Sequence, residues 1–179
     1  MSRFTTHFTL IQGLVVIERT QREDERGFFS RLFCASELAP FGFDRPIAQI
    51  NHTLTRQRGA VRGMHYQRAP HEETKLVSCV AGEVFDVAVD MRPESPFYLH
   101  WHGEILNAGN GRAMLIPRGF AHGFQTLRED CQLIYLHDEA YAPAFEAGMN
   151  PMDPRLGIAW PLEISQMSER DRAFPFIGA

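Results

Sequence analysis

The sequence lacks the features that mark several large protein classes. It has only three cysteines in 179 residues. Cys34, Cys79 and Cys131 are odd in number, far apart and set among apolar neighbours. This usage argues against a disulfide framework and favours reduced thiols in the core of a cytoplasmic protein. A catalytic thiol is the less favoured alternative.

Long hydrophobic runs and an excess of positive charge are also missing. The apolar stretch LIQGLVVI is broken by Gln12 and Gly13 and is followed by Glu18 and Arg19. It therefore predicts an early strand, not a signal peptide or a membrane span. A net charge of −4 gives no long-range attraction to nucleic acid or anionic lipid. We expect neither a nucleic-acid partner nor a membrane partner.

What the chain does have is a series of short apolar runs separated by glycine-containing turns. The runs lie at residues 14–17, 28–33, 75–80, 84–91, 98–105, 112–116 and 131–136. Many strands of this length predict an all-β sandwich or barrel. Helical signals are confined to ASELAPF near Ser36 and to a turn that opens at Ser168.

The length and composition predict a single domain over residues 1–179. The tail beyond about residue 150 carries four prolines, at 151, 154, 161 and 175. Proline is rare inside a sheet, so this tail is interpreted as a wrapped C-terminal extension and not as another strand pair.

The segment KLVSCVAGEVFDVAVDMR predicts a hairpin that turns at Ala81 and Gly82. Its second arm alternates, with one face wholly apolar and with Asp86 and Asp90 on the other face. The two aspartates fit solvated side chains and members of a polar cavity equally well.

Two segments place histidine in predicted strands, VRGMHYQ at 61–67 and IPRGFAHGF at 116–124. Alternation along a strand puts Arg62 and His65 on opposite faces, so they share a site only if Gly63 hosts a bulge or bend. In the second segment a Pro-Gly turn precedes His122.

Two histidine-bearing strands in a small barrel resemble the signatures of the cupins, jelly-roll proteins that often bind metal through three histidines and one glutamate. Here Gln67 stands where the second histidine belongs, and Glu72 stands where the carboxylate belongs. Loss of an imidazole disfavours a transition metal.

Without metal, the same cavity suits acid–base chemistry at neutral pH. His65 is the candidate base, Lys75 the cation for an enolate oxygen and Tyr135 the proton donor. Each also has a structural interpretation: a hydrogen-bonded core histidine, an edge lysine and a buried ring. The residues alone leave both interpretations open.

Taken together, the ordered motifs resemble the dTDP-4-dehydrorhamnose 3,5-epimerase family over about residues 8–175. The motifs are DERGFFSR, NHTLT, VRGMHYQ, KLVSCVAGEVFDVAVDMRPESP, IPRGFAHGFQTL, YLHDEAYAP, GIAWP and SERD. The resemblance implies a jelly-roll (cupin-like) double-sheet barrel with short peripheral helices. It also implies an isomerase with neither metal nor other cofactor, usually a homodimer and cytoplasmic, that acts on a thymidine-diphospho-4-keto-6-deoxy sugar in deoxysugar and polysaccharide synthesis.

By the same resemblance, His65 is the base, polarised by Asp171 of SERD. Tyr135 is the opposing acid and Lys75 steadies the enolate oxygen. Asp171 also has a structural interpretation, because it stands three residues after Ser168 and completes a weak capping box there.

The resemblance further implies a set of substrate-binding residues. Arg62 would hold the diphosphate with Gln49 and Asn51 nearby, Tyr141 and Glu146 would surround the thymidine, and His122 would line the sugar pocket with Asp86 as support. Segment 24–31 would reach across the dimer, so that Arg26 and Phe28 of one copy complete the site of the other.

The sequence departs from the family pattern in three places. Glu72 and Glu73 stand where neutral residues are usual, Leu136-His137 replaces a more usual basic residue, and a common tryptophan before Asp153 is missing. These departures leave open which sugar is the substrate and whether one or two of its carbons are inverted.

Three alternative functions remain. They are a C3-only epimerase acting on a related nucleotide-linked sugar, a metal-dependent cupin enzyme using His65, Glu72 and His122, and a non-catalytic sugar-nucleotide binder.

Overall fold

The computed structural model describes residues 2–178, and most of these residues lie in or between β-strands. The strands are β1 (Phe4–Phe8), β2 (Val15–Arg19), β3 (Gln21–Asp24), β4 (Gly27–Ser30), β5 (Gln49–Thr55), β6 (Val61–Gln67), β7 (Lys75–Ala81), β8 (Glu83–Asp90), β9 (Trp101–Asn107), β10 (Arg112–Ile116), β11 (Phe120–Thr126), β12 (Cys131–His137) and β13 (Glu146–Gly148). The helices are α1 (Ala35–Leu38) and α2 (Glu169–Ala173), with 3₁₀ turns at Ala39–Phe41 and Pro143–Phe145.

The strands form two packed antiparallel sheets and a small ribbon. The first sheet has the order β1-β2-β10-β7-β12-β5, and the second has the order β13-β6-β11-β8-β9. The ribbon pairs β3 with β4. This arrangement confirms the predicted all-β, jelly-roll double-sheet barrel with short peripheral helices.

The principal core lies between the sheets. Val77 and Met114 of the first sheet share it with Ala88 and Phe124 of the second, and all four are at most 2% exposed. Burying a side chain of the size of Val77, Met114 or Phe124 stabilises the fold by roughly 1.5–3 kcal/mol. The barrel is therefore held by residues from both sheets, which keeps the two walls of the interior in fixed relation.

Both outer faces of the barrel are covered by irregular segments. Leu38 of α1 and Phe43, which follows the adjoining 3₁₀ turn, pack on the first sheet. Met149 and Leu156 of the C-terminal tail pack on the second sheet, against the apolar face of β8. Residues 149–178 carry no strand.

The hairpin predicted at Ala81 and Gly82 is wrong. The two arms are β7 and β8, and they belong to different sheets, because β7 pairs with β10 and β12 whereas β8 pairs with β11 and β9. Gly82 turns this corner with φ +76°, and a Cβ there would lie 2.7 Å from Cys131 Sγ. The close approach and the left-handed backbone require glycine.

Asp86 and Asp90 are both fully buried, so their interpretation as solvated side chains is wrong. Asp90 accepts hydrogen bonds from Arg92 and Ser95. Asp86 accepts one from His122, 2.8 Å away. Only Asp86 therefore contacts a residue that was predicted for the site.

Strand limits differ from the prediction in detail. The run at 28–33 ends as a strand at Ser30, and the run at 98–105 becomes a strand only at Trp101. Strands β1, β3, β5 and β13 lie outside the predicted runs. Strand β5 (QINHTLT) was missed because its cavity face is polar and its two apolar residues, Ile50 and Leu54, alternate with polar ones, so that no apolar run marks it.

The predicted irregularity at Gly63 is confirmed. His65 lies opposite His122 and Arg62 lies opposite Phe124, so the register between β6 and β11 shifts across Gly63. Gly63 has φ +137°. The extra residue turns Arg62 and His65 into the same cavity, which strict alternation would forbid.

Replacing Gly63 by alanine should destabilise the fold. A Cβ at this position would lie 2.5 Å from the Gly123 Cα, and the backbone conformation disfavours any side chain. We expect a loss of about 2–4 kcal/mol in the free energy of unfolding. Urea denaturation would measure it, with Gly109→Ala, which meets only one atom at 3.5 Å, as control. Equal stability of the two variants would contradict the tight approach of β6 to β11.

All three cysteines are free; Cys79 and Cys131 are buried, as the sequence predicted, whereas Cys34 is only half-buried. Among residues 2–178, no helix is long and apolar enough to cross a bilayer.

Candidate active site

A cavity of about 620 Å³ opens between the two sheets. Its walls come from β5, β7 and β12 on one side and from β6, β11 and β13 on the other, with α2 at the rim. Ten of the thirteen predicted site residues line it: Gln49, Asn51, Arg62, His65, Lys75, His122, Tyr135, Tyr141, Glu146 and Asp171.

His65 and Asp171 form a carboxylate–imidazole pair in this cavity. His65 Nε2 lies 2.7 Å from Asp171 Oδ1. The carboxylate accepts the proton on Nε2, which assigns the lone pair of a neutral ring to Nδ1. Nδ1 has no hydrogen-bond partner within residues 2–178, so the pair presents a free basic nitrogen beside the cavity.

Asp171 is buried and reaches the cavity from α2. Its other oxygen accepts the Gly63 backbone N–H at 3.2 Å. Burial opposes ionisation, but the hydrogen bond and charge of His65 outweigh it and lower the pKa of Asp171 below its ordinary value. The Ser168 hydroxyl caps α2 by accepting the backbone N–H of Asp171. The capping and histidine-binding roles therefore use different atoms of Asp171.

Tyr135 lies on β12 with its ring in the principal core, on the same face as Leu133. Its hydroxyl lies 3.5 Å from Thr53 Oγ1, and its ring centroid is 5.8 Å from that of His122. Burial raises the pKa of Tyr135 well above its usual value. The phenol therefore keeps its proton at neutral pH and is available as a donor.

Lys75 is buried at the start of β7 and is not an edge charge. Its Nζ donates to Glu73 Oε1 at 2.9 Å and to the His65 carbonyl at 3.2 Å. Glu73 Oε2 in turn lies 3.1 Å from His137 Nδ1. The three side chains form one cluster, which we term the lysine cluster (Glu73, Lys75 and His137).

His122 is directly opposite His65 in the register of β6 and β11. It is 6% exposed, and its Nε2 is held by Asp86 Oδ1 at 2.8 Å. Asp86 does not itself line the cavity; it fixes the His122 ring from behind.

The rim of the cavity carries a polar network. Arg62 Nε donates to Thr55 Oγ1 at 2.8 Å. Tyr141 and Arg170 both donate to Glu146, at 2.8 and 2.5 Å. The rim therefore combines one aromatic ring with arginines that can turn toward an anionic ligand.

Arg26 and Phe28 are not brought to the cavity of their own chain. Both lie on or beside the β3–β4 ribbon, where Arg26 pairs with Asp24 and Phe28 is 56% exposed.

The proposed metal-ligand set of His65, Glu72 and His122 is not assembled. Glu72 lines a separate shallow depression with Arg92, while each histidine is bonded to an aspartate. No group of three or more His, Cys, Asp or Glu in residues 2–178 is placed to hold a metal ion.

Comparison with known proteins decides the family. The sequence model of dTDP-4-dehydrorhamnose 3,5-epimerase matches residues 8–178. The chain is a member of the dTDP-4-dehydrorhamnose 3,5-epimerase family. The predicted family, and with it the class of isomerase, is confirmed.

Three relatives of this epimerase-family chain illustrate the match. A dTDP-4-dehydrorhamnose 3,5-epimerase from Methanothermobacter thermautotrophicus is 39% identical, covering 96% of this chain and 94% of that protein. A dTDP-4-dehydrorhamnose 3-epimerase from Streptomyces niveus is 39% identical, and the match covers 90% of this chain and 78% of that protein. A third match is the crystal structure of dTDP-6-deoxy-D-glucose-3,5-epimerase from Legionella pneumophila in complex with dTDP-4-keto-L-rhamnose. Its TM-score is 0.92 at 39% identity, and the match covers 97% of this chain and 92% of that chain.

Within this epimerase-family fold, Glu73 and His137 line the cavity although they were not predicted to be site residues. The signal for His137 was the period of two along β12, which puts it on the same side as Tyr135, two residues away. Glu73 lies just before β7, two residues from Lys75, and so is outside the strand pattern.

Glu73 predicts a pH dependence of stability. Burial would raise its pKa, but the His137 hydrogen bond and the Lys75 charge outweigh burial and lower the pKa from 4.5 to about 2. The pKa of Glu73 is lower in the folded than in the unfolded protein. Ionised Glu73 therefore makes its full contribution to the free energy of unfolding above about pH 4.5, and this contribution is lost as the pH falls toward 2. The stability gap between wild type and Glu73→Gln should therefore narrow on acidification. Urea unfolding between about pH 6 and pH 3 would test this; a constant gap would contradict it.

Proposed function

We propose that this protein inverts C3 and C5 of dTDP-4-dehydro-6-deoxy-D-glucose to give dTDP-4-dehydro-L-rhamnose. The observation that carries the proposal is that a carboxylate-held imidazole on β6 and a protonated phenol on β12 line one cavity from different sheets. Family membership supplies the substrate class, and the Legionella relative's complex with dTDP-4-keto-L-rhamnose supports it.

In the first step, His65 Nδ1 removes the proton from C3 or C5, both of which are acidified by the C4 ketone. The electron pair of the C–H bond moves into the new C=C bond, and negative charge develops on the C4 oxygen. Asp171 stabilises the imidazolium that forms. A general base of this kind contributes roughly 10²–10⁴-fold to a rate.

In the second step, Tyr135 gives its phenolic proton to the same carbon from the opposite face. The C4 ketone re-forms as the enolate electrons return to carbon. Lys75 offers a buried ammonium N–H to the oxygen while it is charged. Proton exchange with water then returns His65 and Tyr135 to their starting states, so neither metal nor other cofactor is consumed.

The nucleotide is proposed to lie along the rim. Arg62 would bind the diphosphate with Gln49 and Asn51 beside it, and Tyr141 and Glu146 would surround the thymidine. All five line the cavity. His122, fixed by Asp86, would contact the sugar.

A C3-only epimerase is the second candidate function. The 3-epimerase from Streptomyces niveus matches this chain at the same 39% identity as the Methanothermobacter 3,5-epimerase. Overall similarity therefore does not decide the number of centres.

Deuterium incorporation tests the proposal. The protein is incubated in deuterium oxide with dTDP-4-dehydro-6-deoxy-D-glucose, and C3 and C5 are followed by NMR. Label at both carbons with inversion is expected, and label at C3 alone would establish the narrower activity. Tight binding without label would establish a non-catalytic binder. Activity lost on dialysis against EDTA and restored by a metal would instead establish a metal-dependent enzyme.

We further propose a homodimer in which segment 24–31 completes the partner's site. Phe28 and Phe29 are 56% and 70% exposed on the β3–β4 ribbon, and Ile50 on edge strand β5 is 61% exposed. Large exposed apolar side chains of this kind mark association surfaces. Arg26 would then bind phosphate in the second copy.

Subunit mixing tests the dimer proposal. Arg26→Ala and His65→Asn should each be nearly inactive as pure dimers. In a mixed dimer, one site carries both changes and the other carries neither, so mixing should restore activity to about a quarter of wild type if subunits exchange at random. No recovery, despite exchange shown by native mass spectrometry, would contradict sharing of the site.

The proposed organisation is one domain over residues 1–179 with a C-terminal extension from about 150. We propose that the protein acts in the cytoplasm, a location that its free cysteines support.

A further inference from the structure

Two titratable side chains, Glu73 and His137, meet in the cavity. Glu73 precedes β7 and His137 ends β12, yet their side chains are 3.1 Å apart. Both side chains are about nine-tenths buried. The proton-transfer scheme uses neither of them.

Glu73 restricts where Lys75 can point. An ammonium group has three N–H donors. One is bonded to Glu73 Oε1 at 2.9 Å and one to the His65 carbonyl at 3.2 Å. The third remains for a ligand in the cavity, and its direction is set by the first two.

His137 restricts Glu73 in the same way. Its Nδ1 binds Glu73 Oε2, and its Nε2 lies 3.4 Å from Asn51 Nδ2. Its ring is nearly parallel to that of Tyr135, with centroids 6.3 Å apart and planes 23° apart. The lysine cluster is thereby tied to strand β12, which also carries the proposed acid.

The cluster also changes how Lys75 can act. A carboxylate 2.9 Å from the ammonium cancels most of its net charge at longer range. Lys75 therefore stabilises an enolate oxygen through one directed N–H and not through free positive charge. An N–H of this kind is effective only if its direction is fixed before the reaction.

We propose that Glu73 and His137 are positioning residues that aim the Lys75 ammonium at the enolate oxygen. This inference rests on the proposed epimerase function. His137 holds Glu73, Glu73 holds Lys75, and Lys75 alone of the three touches the reacting oxygen.

The chain contains a single lysine, so the ammonium can be observed directly. Protein grown with ¹⁵N-lysine should give one side-chain ammonium signal in ¹H–¹⁵N NMR. Glu73→Gln should exchange these protons with water about tenfold faster than wild type, because it loses a charge-assisted hydrogen bond. The matched control is Glu139→Gln, which breaks a carboxylate–imidazole pair with His71, also 3.1 Å long, away from the cavity. Equal exchange in the two variants would overturn the proposal.

Steady-state kinetics provide a second test of the positioning role. Glu73→Gln should lower kcat for deuterium exchange about tenfold to a hundredfold with KM changed less than about threefold, and His137→Asn should have a smaller effect in the same direction. In a Lys75→Met background, Glu73→Gln should change kcat less than about threefold, because the two residues act as a unit. Fully additive losses, or a loss confined to KM, would overturn the positioning role.

The two proposals fail separately. If wild-type protein moves no deuterium into the nucleotide sugar, the epimerase function fails. The lysine NMR arm would still decide whether Glu73 holds Lys75.

Discussion

Replacing His65 by asparagine should abolish deuterium exchange at C3 and C5, with a loss of at least about 10²–10⁴-fold in kcat. An amide has no basic nitrogen to accept a carbon-bound proton. Asparagine is too short to replace the 2.7 Å bond from His65 Nε2 to Asp171, but Asp171 keeps the Gly63 N–H, and the His65 side chain is 35% exposed and not part of the packed core. The fold should therefore be nearly unchanged, as judged by thermal unfolding and circular dichroism.

The control for this variant is His71→Asn. His71 also bonds a carboxylate, Glu139, at 3.1 Å, but it does not line the cavity. It should keep wild-type exchange. If His65→Asn loses stability in proportion to its activity, or if both variants retain exchange, His65 has a structural role and the mechanism is wrong.

Replacing Tyr135 by phenylalanine should separate inversion from exchange. Without the phenol, no proton is delivered from the opposite face, so formation of the epimer should fall by about 10²-fold or more. His65 can still remove a proton and return a deuteron to the same face. Deuterium uptake at C3 should therefore persist with retained configuration, which NMR of the recovered sugar would show.

The stability of the Tyr135→Phe variant should change little. The hydroxyl makes one long contact, 3.5 Å to Thr53, and the ring keeps its place in the core. Loss of such a bond costs about 1 kcal/mol or less. Tyr98→Phe, on the surface, is the matched control. Equal loss of exchange and inversion in Tyr135→Phe would show that the phenol is not a separate acid.

The fold class could be predicted because strand-length apolar runs are a local property. Which strands pair with each other is not a local property. The pattern around Gly82 fits a hairpin turn and a corner between two sheets equally well, so the hairpin was predicted wrongly. The bend at Gly63 could be inferred, since glycine inside a strand between Arg62 and His65 has few other uses.

The site could be predicted only in part from the residues. His65, Lys75 and Tyr135 were candidates by chemistry, whereas the polar strand β5 yielded Gln49 and Asn51 only through family resemblance. The contact between Glu73 and His137 depends on the pairing of β7 with β12 in one register, with Lys75 opposite His137. No periodicity within either strand contains that information.

The position of Asp171 on α2 makes turnover sensitive to a small part of the molecule. This carboxylate comes from one helical turn near the C terminus and not from a strand of the barrel. A helix of one turn depends on a few tertiary contacts and loosens at lower free energy than a core does. Warming should therefore abolish turnover reversibly at temperatures below the main calorimetric transition.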